Sequence, residues 1–126
     1  MSNDYKNNLW KAINPATSPE ELRNLAKDCT DWHLHYRIAE NPNAPEDVLT
    51  KLAKDDEWIV RKQVANNPNT PTKVLRILAE DEDCRVRYAA TVNPKLPTAK
   101  LVKLTNDSNE DIREAAKREL DRRKNN

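Results

Sequence analysis

The chain has 126 residues, a net charge of +1, 34% charged and 37% hydrophobic residues, and no glycine. This length is typical of one small domain. Phosphate-binding loops, dinucleotide fingerprints, EF-hand calcium loops and G-x-S-x-G nucleophile elbows all require glycine, so the composition excludes them. Charge is uneven, with a net of −3 over residues 14–66 and +3 over residues 67–126.

The cysteine content and hydropathy narrow the class further. Cys29 and Cys84 are the only cysteines. They are too few and too far apart for a disulfide framework or a four-cysteine zinc site. No signal peptide and no long apolar run is evident. We therefore expect a soluble cytoplasmic protein with no cofactor, no membrane partner and no small-molecule substrate.

A short cap and four repeats follow one another along the chain. Tyr5, Leu9, Trp10 and Ile13 predict a partial helix at the start. Asn-Pro dipeptides then recur with spacings of 27, 26 and 26, and a second proline follows each one. Self-similarity at a fixed period is typical of repeat architectures. The chain is divided into an N-terminal cap at 1–13, repeats at 14–40, 41–66, 67–92 and 93–120, and a basic tail at 121–126.

Each repeat begins with a predicted short helix, seen most clearly in the third repeat. Pro71 suits the first helical position, with Thr70 as the N-cap. Val74, Leu75 and Leu78 form one apolar face.

In the first repeat, Ser18 and Glu21 fit a capping box, in which each side chain bonds the other residue's backbone N–H.

A second short helix follows an acidic turn, whose residues are expected to cap it and to favour the positive end of its dipole. The next Asn-Pro ends this helix. Asparagine tolerates the left-handed conformation, so we expect it to replace glycine at these turns. The predicted buried pairs are Leu34 and Ile38, Val60 and Val64, Val86 and Ala90, and Ile112 and Ala116.

The period of the apolar residues identifies the fold class. No segment alternates with period two, so the chain is predicted to be all-α. One helix pair cannot bury its own apolar faces, and neighbouring pairs must share a continuous core. We predict a single cooperative α-solenoid of four helix-pair repeats of about 26 residues with capping helices at both ends.

The third repeat carries a specific combination of Asn-Pro, L-A-x-D and V-R motifs. These motifs resemble the leucine-rich repeat variant family, and the resemblance extends over roughly residues 14–120. It rests on Asn67, Pro68, Pro71, Val74, Leu75, Leu78, Ala79, Asp81, Asp83, Val86, Arg87 and Ala90.

The resemblance implies a fold related to HEAT and armadillo repeats. It implies a right-handed superhelix in which one element of each repeat can be a 3₁₀ helix, and it implies no reaction. Some family members carry an N-terminal iron–sulfur module. This chain lacks the corresponding cysteine cluster, so no cofactor is inferred.

The most regular polar feature is a ladder of acids and arginines at 26-residue spacing. One interpretation makes the arginines a phosphate-binding stripe. We favour pairing of each arginine with an acid of a neighbouring repeat, which would hold the stacking angle. His35 stands where the first repeat would carry arginine, which interrupts the ladder. This position is expected either to be looser or to matter at the acidic end of the chain. The ladder residues are Asp55, Asp81, Asp107, Arg61, Arg87 and Arg113.

Two histidines and a cysteine raise the question of a metal site in the first repeat. His33 and His35 are two residues apart, which places them on different faces of a regular helix. We therefore predict no metal site. Cys84 takes the position of Trp32 and Trp58 and is expected to be a small buried hydrophobe.

Some positions of the second helix do not repeat, although the core positions do. In a solenoid, non-repeating positions on one face are suited to specificity, because packing does not dictate them. Tyrosine and arginine are also enriched at interface hot spots. The candidate partner-binding residues are Tyr36, Arg37, Lys62, Arg85 and Tyr88, with an ordinary solvated surface as the alternative.

Trp32 and Trp58 begin successive second helices. We expect them to pack between repeats rather than to stack on a ligand.

Three classes of function remain. We favour a non-catalytic scaffold that binds another protein. An enzyme is not expected, because no nucleophile, base and metal are grouped. The alternative is a nucleic-acid-binding protein that uses the basic later half, although acids are interleaved there. Its candidate residues are Arg85, Arg87, Lys117, Arg118, Arg122, Arg123 and Lys124.

Overall fold

The computed structural model describes residues 3–125, which are folded into helices with no strand in this range. All nine helices of these residues are α-helical, so the 3₁₀ element implied by the family resemblance does not occur among them. The helices are α1 (Asn3–Ile13), α2 (Pro19–Asp28), α3 (Trp32–Glu40), α4 (Glu46–Leu52), α5 (Trp58–Asn66), α6 (Thr72–Leu78), α7 (Cys84–Thr91), α8 (Thr98–Leu104) and α9 (Glu110–Lys124).

The odd-numbered and even-numbered helices have different neighbours. Helices α1, α3, α5, α7 and α9 pack one against the next, and we call them the odd layer. Helices α2, α4, α6 and α8 form the even layer, which packs against the odd one. In the part of the chain that the structure describes, none of the helices is long and apolar enough to cross a membrane.

The core lies between the two layers and is built from recurring positions. Leu49, Leu75 and Leu101 of the even layer are fully buried, and Val60 and Val86 of the odd layer face them with 0% exposure. Every residue of the predicted buried pairs is also buried. The described chain is therefore all-helical and consistent with a helical repeat, as the sequence predicts.

The predicted helix starts are correct at some repeats and wrong at others. Ser18 Oγ accepts the Glu21 N–H at 3.2 Å, as the capping box requires. The Glu21 carboxylate instead accepts the Ser18 hydroxyl at 3.5 Å. Asp31 and Asp83 cap α3 and α7 through backbone N–H groups, each at 2.8 Å.

The prediction that Thr70 is the N-cap of α6 is wrong. Pro71 occupies that position in an extended conformation, with φ −60° and ψ 146°. Thr70 is fully buried. Its hydroxyl donates to the Val64 carbonyl at 2.5 Å. The hydroxyl is thus a second donor to a carbonyl near the end of α5, which also accepts the Asn67 N–H at 3.2 Å.

The Asn-Pro turns do not use the left-handed conformation that the sequence predicts. No described residue has a positive φ. Asn41 and Asn67 are extended, with φ −69° and −73° and ψ 126° in both cases. A residue before proline is pushed into this region by steric clash. Asparagine is therefore needed here for its side-chain amide rather than for its backbone freedom.

The asparagines form a buried ladder that joins each repeat to the one before it. Asn67 Nδ2 donates to the carbonyls of Ala39 at 2.8 Å and Asn41 at 3.0 Å. Asn67 Oδ1 accepts the Asn69 N–H at 2.8 Å. One side chain thus satisfies two carbonyls of the preceding repeat and shapes its own turn. The equivalent donations to the preceding repeat run from Asn41 to Ala12 and Asn14, and from Asn93 to Ala65.

Helix α9 closes the stack at its later end. It has 15 residues and continues through the predicted boundary at 120/121, so residues 121–124 of the basic tail are helical. Arg123 donates to the Thr98 hydroxyl and to the Pro94 carbonyl, both at 3.1 Å. This end of α9 is therefore attached to the last Asn-Pro turn and to α8.

Replacing Asn67 with alanine tests the asparagine ladder. The change removes the donor of the Ala39 carbonyl and one of the two donors of the Asn41 carbonyl, which keeps the Ala44 N–H at 3.1 Å. We expect a loss of about 1–3 kcal/mol in the free energy of unfolding. Urea titration followed by circular dichroism measures it. The matched control is Asn66→Ala, at an exposed neighbour. This control should change stability by less than about 0.5 kcal/mol. Equal losses in the two variants would contradict the ladder.

Candidate functional site

The acid–arginine ladder connects the turn before one odd-layer helix with the turn before the next. Arg61 donates Nε and Nη2 to the Asp81 carboxylate at 2.8 and 3.2 Å. Its Nη1 donates to the Asp55 carbonyl at 2.8 Å. Arg87 repeats the pattern, with Asp107 at 3.0 and 3.2 Å and the Asp81 carbonyl at 2.8 Å. Each arginine therefore holds its own turn and the next turn together.

The ladder continues into the first repeat, where the sequence predicts an interruption. His35 lies 2.9 Å from the Asp55 carboxylate and 2.7 Å from the Cys29 carbonyl. We call one side chain with its two partners a rung of the ladder, so His35 makes both contacts of an arginine rung. One step earlier, Asn8 of α1 donates to Cys29 Sγ at 3.7 Å. The expected interruption is wrong because an imidazole has two ring nitrogens, which reach the same kinds of partner.

The last ladder arginine keeps half of the pattern. Arg113 Nη1 donates to the Asp107 carbonyl at 2.8 Å.

Burial and charge explain the electrostatics of these pairs. Burial acts to raise the pKa of Asp107, but hydrogen bonds from Arg87 and from the Asn109 N–H, with the charges of Arg87 and Arg113, outweigh it and lower that pKa. The side chains of Arg61 and Arg87 are only 10% and 15% exposed. These guanidinium groups are therefore engaged inside the stack and do not form an open phosphate-binding stripe.

The five candidate binding residues divide between two surfaces. Lys62, Arg85 and Tyr88 line one open groove of about 490 Å³ across α5, α7 and α9. Tyr36 and Arg37 lie on α3, outside that lining. The structure thus brings three of the five together.

Several groove residues lie beyond the candidates chosen from the sequence. Asp111 and Glu114 occupy the repeat positions of Arg85 and Tyr88, so the repeat register could have identified them. Arg118 lies one turn further along α9, at the repeat position of Asn66, the last residue of α5. The complete lining is Lys62, Cys84, Arg85, Tyr88, Asn109, Asp111, Ile112, Glu114 and Arg118.

Arg85 is held in place at the groove wall. Its guanidinium carbon lies 3.5 Å from the ring centroid of Trp58. It also donates to both carboxylate oxygens of Asp83, at 3.0 and 2.8 Å. The hydrogen bonds from Arg85 lower the pKa of Asp83 to about 2. Stacking and pairing together present a fixed cation rather than a mobile one.

Opposite charges also line the groove. Among the described residues, Lys62 and Arg118 have no carboxylate within 4.0 Å, and Glu114 lies 3.9 Å from Lys117. The exposed fraction of Tyr88 is 38%. Cys84 packs against the core and borders the groove, but it is half-buried, so the prediction of a small buried hydrophobe is correct only in part. A smaller side chain at a tryptophan position leaves room for the opening.

An aromatic cluster covers the first repeat. The rings of His33 and Tyr36 are parallel within 8° at 6.4 Å, and the Tyr5 hydroxyl lies 3.0 Å from His33 Nδ1. Arg37 lies 5.2 Å above the Tyr36 ring and pairs with Glu40 at 3.1 Å.

The position of Arg37 is partly interior, because its equivalents Ala89 and Ala115 are buried. Variation between repeats alone therefore does not identify an exposed position.

The two tryptophans do not behave alike. Trp58 lies under Arg85 of the next repeat, so it packs between repeats as predicted. Trp32 is 47% exposed and borders an open cavity together with Asp55 and Asp56 of the next repeat, so it packs less completely between repeats. The residue equivalent to Arg85 in the second repeat is Ile59, which cannot stack on an indole as a guanidinium does.

The histidines have separate partners, Tyr5 for His33 and Asp55 for His35. In the range that the structure describes, no three His, Cys, Asp or Glu side chains are grouped as metal ligands.

Comparison with known proteins identifies one repeat family. The model of the family described as "Leucine rich repeat variant" matches residues 58–83. The matched segment runs from the start of α5 to the acidic turn before α7, and so includes the second helix of one predicted repeat and the first helix of the next. The family resemblance is thereby confirmed for this segment. No curated protein and no solved structure matches the chain.

Replacing Arg87 with methionine tests the role of the ladder. The change leaves the Asp107 carboxylate, which is 9% exposed, without its cation. We expect the free energy of unfolding to fall by about 2–4 kcal/mol. The matched control is Arg23→Met, since Arg23 pairs with Asp47 across repeats in the same way but with side chains 47% and 60% exposed. Urea titration should show little change in this control. Similar losses in both variants would contradict a special role for the ladder.

Proposed function

We propose that this protein is a non-catalytic scaffold whose repeats form a right-handed superhelix of four units, and that it binds a segment of another protein in the groove across α5, α7 and α9. The observation that carries the proposal is the division between constant and variable positions. Core and ladder positions recur from repeat to repeat, whereas Lys62, Tyr88 and Glu114 share one repeat position, differ in chemistry and line one opening.

The chemistry of the groove suits a peptide segment. Tyr88 is 38% exposed and offers apolar ring surface beside a hydroxyl. Lys62, Arg118 and Asp111 add charges of both signs, which a protein segment with mixed side chains can match. Tyrosine and arginine are the residue types that contribute most to interfaces.

An enzyme is a weaker candidate on the same evidence. Cys84 is the only thiol in the lining, and no described residue forms a hydrogen bond to its sulfur that would supply a base. A catalytic thiol requires a base within hydrogen-bond reach.

The nucleic-acid alternative is disfavoured because most of its candidate basic residues already form ion pairs with acids of this chain. Arg87 is paired with Asp107 inside the stack, and Arg85 is paired with Asp83. Within α9, Lys117 lies 3.9 Å from Glu114, and Arg122 lies 2.6 Å from Glu119. Most of the basic residues are thus accompanied by acids, which leaves few cations for phosphates.

Site-specific crosslinking tests the groove. A photoreactive amino acid is placed at position 88, in the groove, and at the exposed position 76 of α6 as the matched control. In the cells that make this protein, we expect one discrete protein adduct from position 88 and none of the same mass from position 76. Lys62→Ala in the same chain should lower the yield of that adduct by at least about threefold, because it removes a side chain that lines the groove. Equal adducts from both positions would refute the groove as the site.

Heparin chromatography at low salt separates the two candidate functions. We expect no retention, because the basic side chains of α7 and α9 are largely paired with acids. Retention that falls steeply with added salt, together with duplex binding of the same salt dependence, would favour the nucleic-acid alternative.

A further inference from the structure

The tryptophan at the start of α5 is covered by a guanidinium that the chain itself supplies. The guanidinium carbon of Arg85 lies 3.5 Å from the ring centroid of Trp58. The same guanidinium donates to both carboxylate oxygens of Asp83, at 3.0 and 2.8 Å. An indole face and a carboxylate thus hold one guanidinium between them, by cation–π attraction and by paired charge-assisted hydrogen bonds.

The preceding repeat keeps the indole and the carboxylate but lacks the guanidinium. Trp32 and Glu57 stand 26 residues before Trp58 and Asp83, at the same repeat positions. The position of the covering arginine is occupied by Ile59, which is uncharged and packs against the core. The ring of Trp32 is accordingly left half-exposed.

An open cavity of about 620 Å³ lies between Trp32 and the turn before α5. Among the described residues that line it there are four acids but no lysine and no arginine. The lining therefore combines an exposed indole with negative charge, which are the two features that hold the guanidinium in the next repeat. The acids are Asp31, Asp55, Asp56 and Glu57.

Two of these carboxylates are not used by the fold. Asp55 lies 2.9 Å from a ring nitrogen of His35 and also accepts the Glu57 N–H, and Asp31 caps α3. The carboxylates of Asp56 and Glu57 form no hydrogen bond and no ion pair with any residue that the structure describes, and Glu57 does not cap α5 with its side chain. Both are therefore available to a cation from outside the chain.

The corresponding cavity before α7 differs where the built-in guanidinium lies. It is formed at the turn that carries Asp81, and its lining includes the cations Lys54 and Arg61. Neither Trp58 nor Asp83 belongs to that lining, although their counterparts line the cavity of the first repeat. The indole and the carboxylate are thus closed off where the chain supplies an arginine and open where it does not.

We propose that the cavity beside Trp32 binds an arginine side chain carried by another protein. The guanidinium stacks on the exposed face of the indole and pairs with Glu57, as Arg85 does in the next repeat. Arginine is preferred to lysine, because a planar guanidinium stacks on an aromatic ring and pairs in a bidentate way, whereas an ammonium is a compact and strongly hydrated charge. This cavity shares no lining residue with the groove across α5, α7 and α9, so the proposal does not rest on the function proposed for that groove.

The charges of the cavity also favour an arginine within a polypeptide over the free amino acid. Free arginine carries a carboxylate, which the four acids of the lining repel. In a polypeptide this carboxylate is replaced by a neutral amide, and the guanidinium is the only charge that the residue brings to the cavity.

NMR of the indole N–H groups tests the site with N-acetyl-arginine amide, which resembles an arginine residue within a chain. We expect the Trp32 signal to shift saturably with a dissociation constant on the order of 1–10 mM. The other two tryptophans, Trp10 and Trp58, are internal controls and should not respond. N-acetyl-citrulline amide has nearly the same shape without the charge and should bind at least about tenfold more weakly. An unresponsive Trp32, or equal binding of the citrulline derivative, would refute the site.

Two further measurements identify the source of the arginine. N-acetyl-arginine with a free carboxylate should bind more weakly than the amide, and tighter binding of this form would overturn the proposal in favour of a small-molecule ligand. Sedimentation of the native chain should show no dimer that the amide probe dissociates. Such a dimer would assign the cavity to a second copy of this chain and would likewise overturn the proposal.

Two reciprocal substitutions exchange the states of the two tryptophans. Arg85→Ala removes the built-in guanidinium, so the Trp58 signal should become responsive to the amide probe. Ile59→Arg supplies a guanidinium at the equivalent position of the first repeat, and the affinity of the Trp32 site for the probe should fall by at least about tenfold. The proposal fails if Trp58 stays silent in the first variant or if a folded second variant binds as the native chain does.

Glu57→Gln keeps the proposal testable even if the buried side of Ile59 does not accept arginine. It removes the carboxylate that pairs with the guanidinium, and the affinity for the amide probe should fall by at least about threefold. The matched control is Glu46→Gln, the same change at an exposed position of α4 outside the cavity lining. Affinity in this control should stay within about twofold of the native value. Equal losses in the two variants would show that general negative charge, and not this site, attracts the probe.

Discussion

Short helices stacked side by side leave backbone carbonyls at their ends, and donors from the neighbouring repeat satisfy some of them. Helices of 7 to 10 residues have a large share of their backbone groups in terminal turns. An unpaired buried carbonyl is costly, so a side-chain donor from the next repeat stabilises the stack where the turn itself supplies none, as at Ala39 and Ala65. The asparagine and arginine ladders supply those donors, and much of the architecture depends on them.

The two ladders act at different places on the odd layer. The asparagines bond carbonyls near the C-terminal ends of these helices, as Asn67 does at Ala39 of α3. The arginines and His35 bond the turns before the helices begin, as Arg61 does at Asp55. Helix α5 is therefore connected near both ends to α3 on one side and to α7 on the other, which limits sliding and tilting. A surface held in this way is preformed, and binding to it requires little ordering of the scaffold.

Much of the fold follows from the spacing of apolar residues. Residues such as Leu75 and Val86 recur at intervals that only helices satisfy, and both are buried as the pattern predicts. The register of the arginine ladder is also visible in the sequence, because Arg61, Arg87 and their acids keep a 26-residue spacing. What the spacing cannot show is which oxygen each guanidinium reaches, since this depends on the offset between stacked turns.

The remaining features depend on three-dimensional context. Asn-Pro suggests a turn with special backbone angles, yet the Asn41 side chain acts across repeats in an extended conformation. The exposure of Trp32 depends on the side chain that the next repeat offers to its ring, and there Ile59 takes the place of an arginine. Arg37 varies between repeats but sits at a partly interior position. Binding residues of α9 could be inferred by register, whereas the opening beside Cys84 depends on side-chain volume.

The rungs of the ladder weaken steadily toward the beginning of the chain. The two later ones are bidentate guanidinium–carboxylate pairs, the next is the imidazole of His35 with Asp55, and the earliest is an amide–thiol contact between Asn8 and Cys29. The stability of such a stack is approximately a sum over the interfaces between neighbouring repeats. This gradient therefore makes the beginning of the chain the less stable end. We expect fraying to start at α1, where the contact is weakest. The groove lies in the later half of the stack, so we expect it to stay assembled when the opposite end frays.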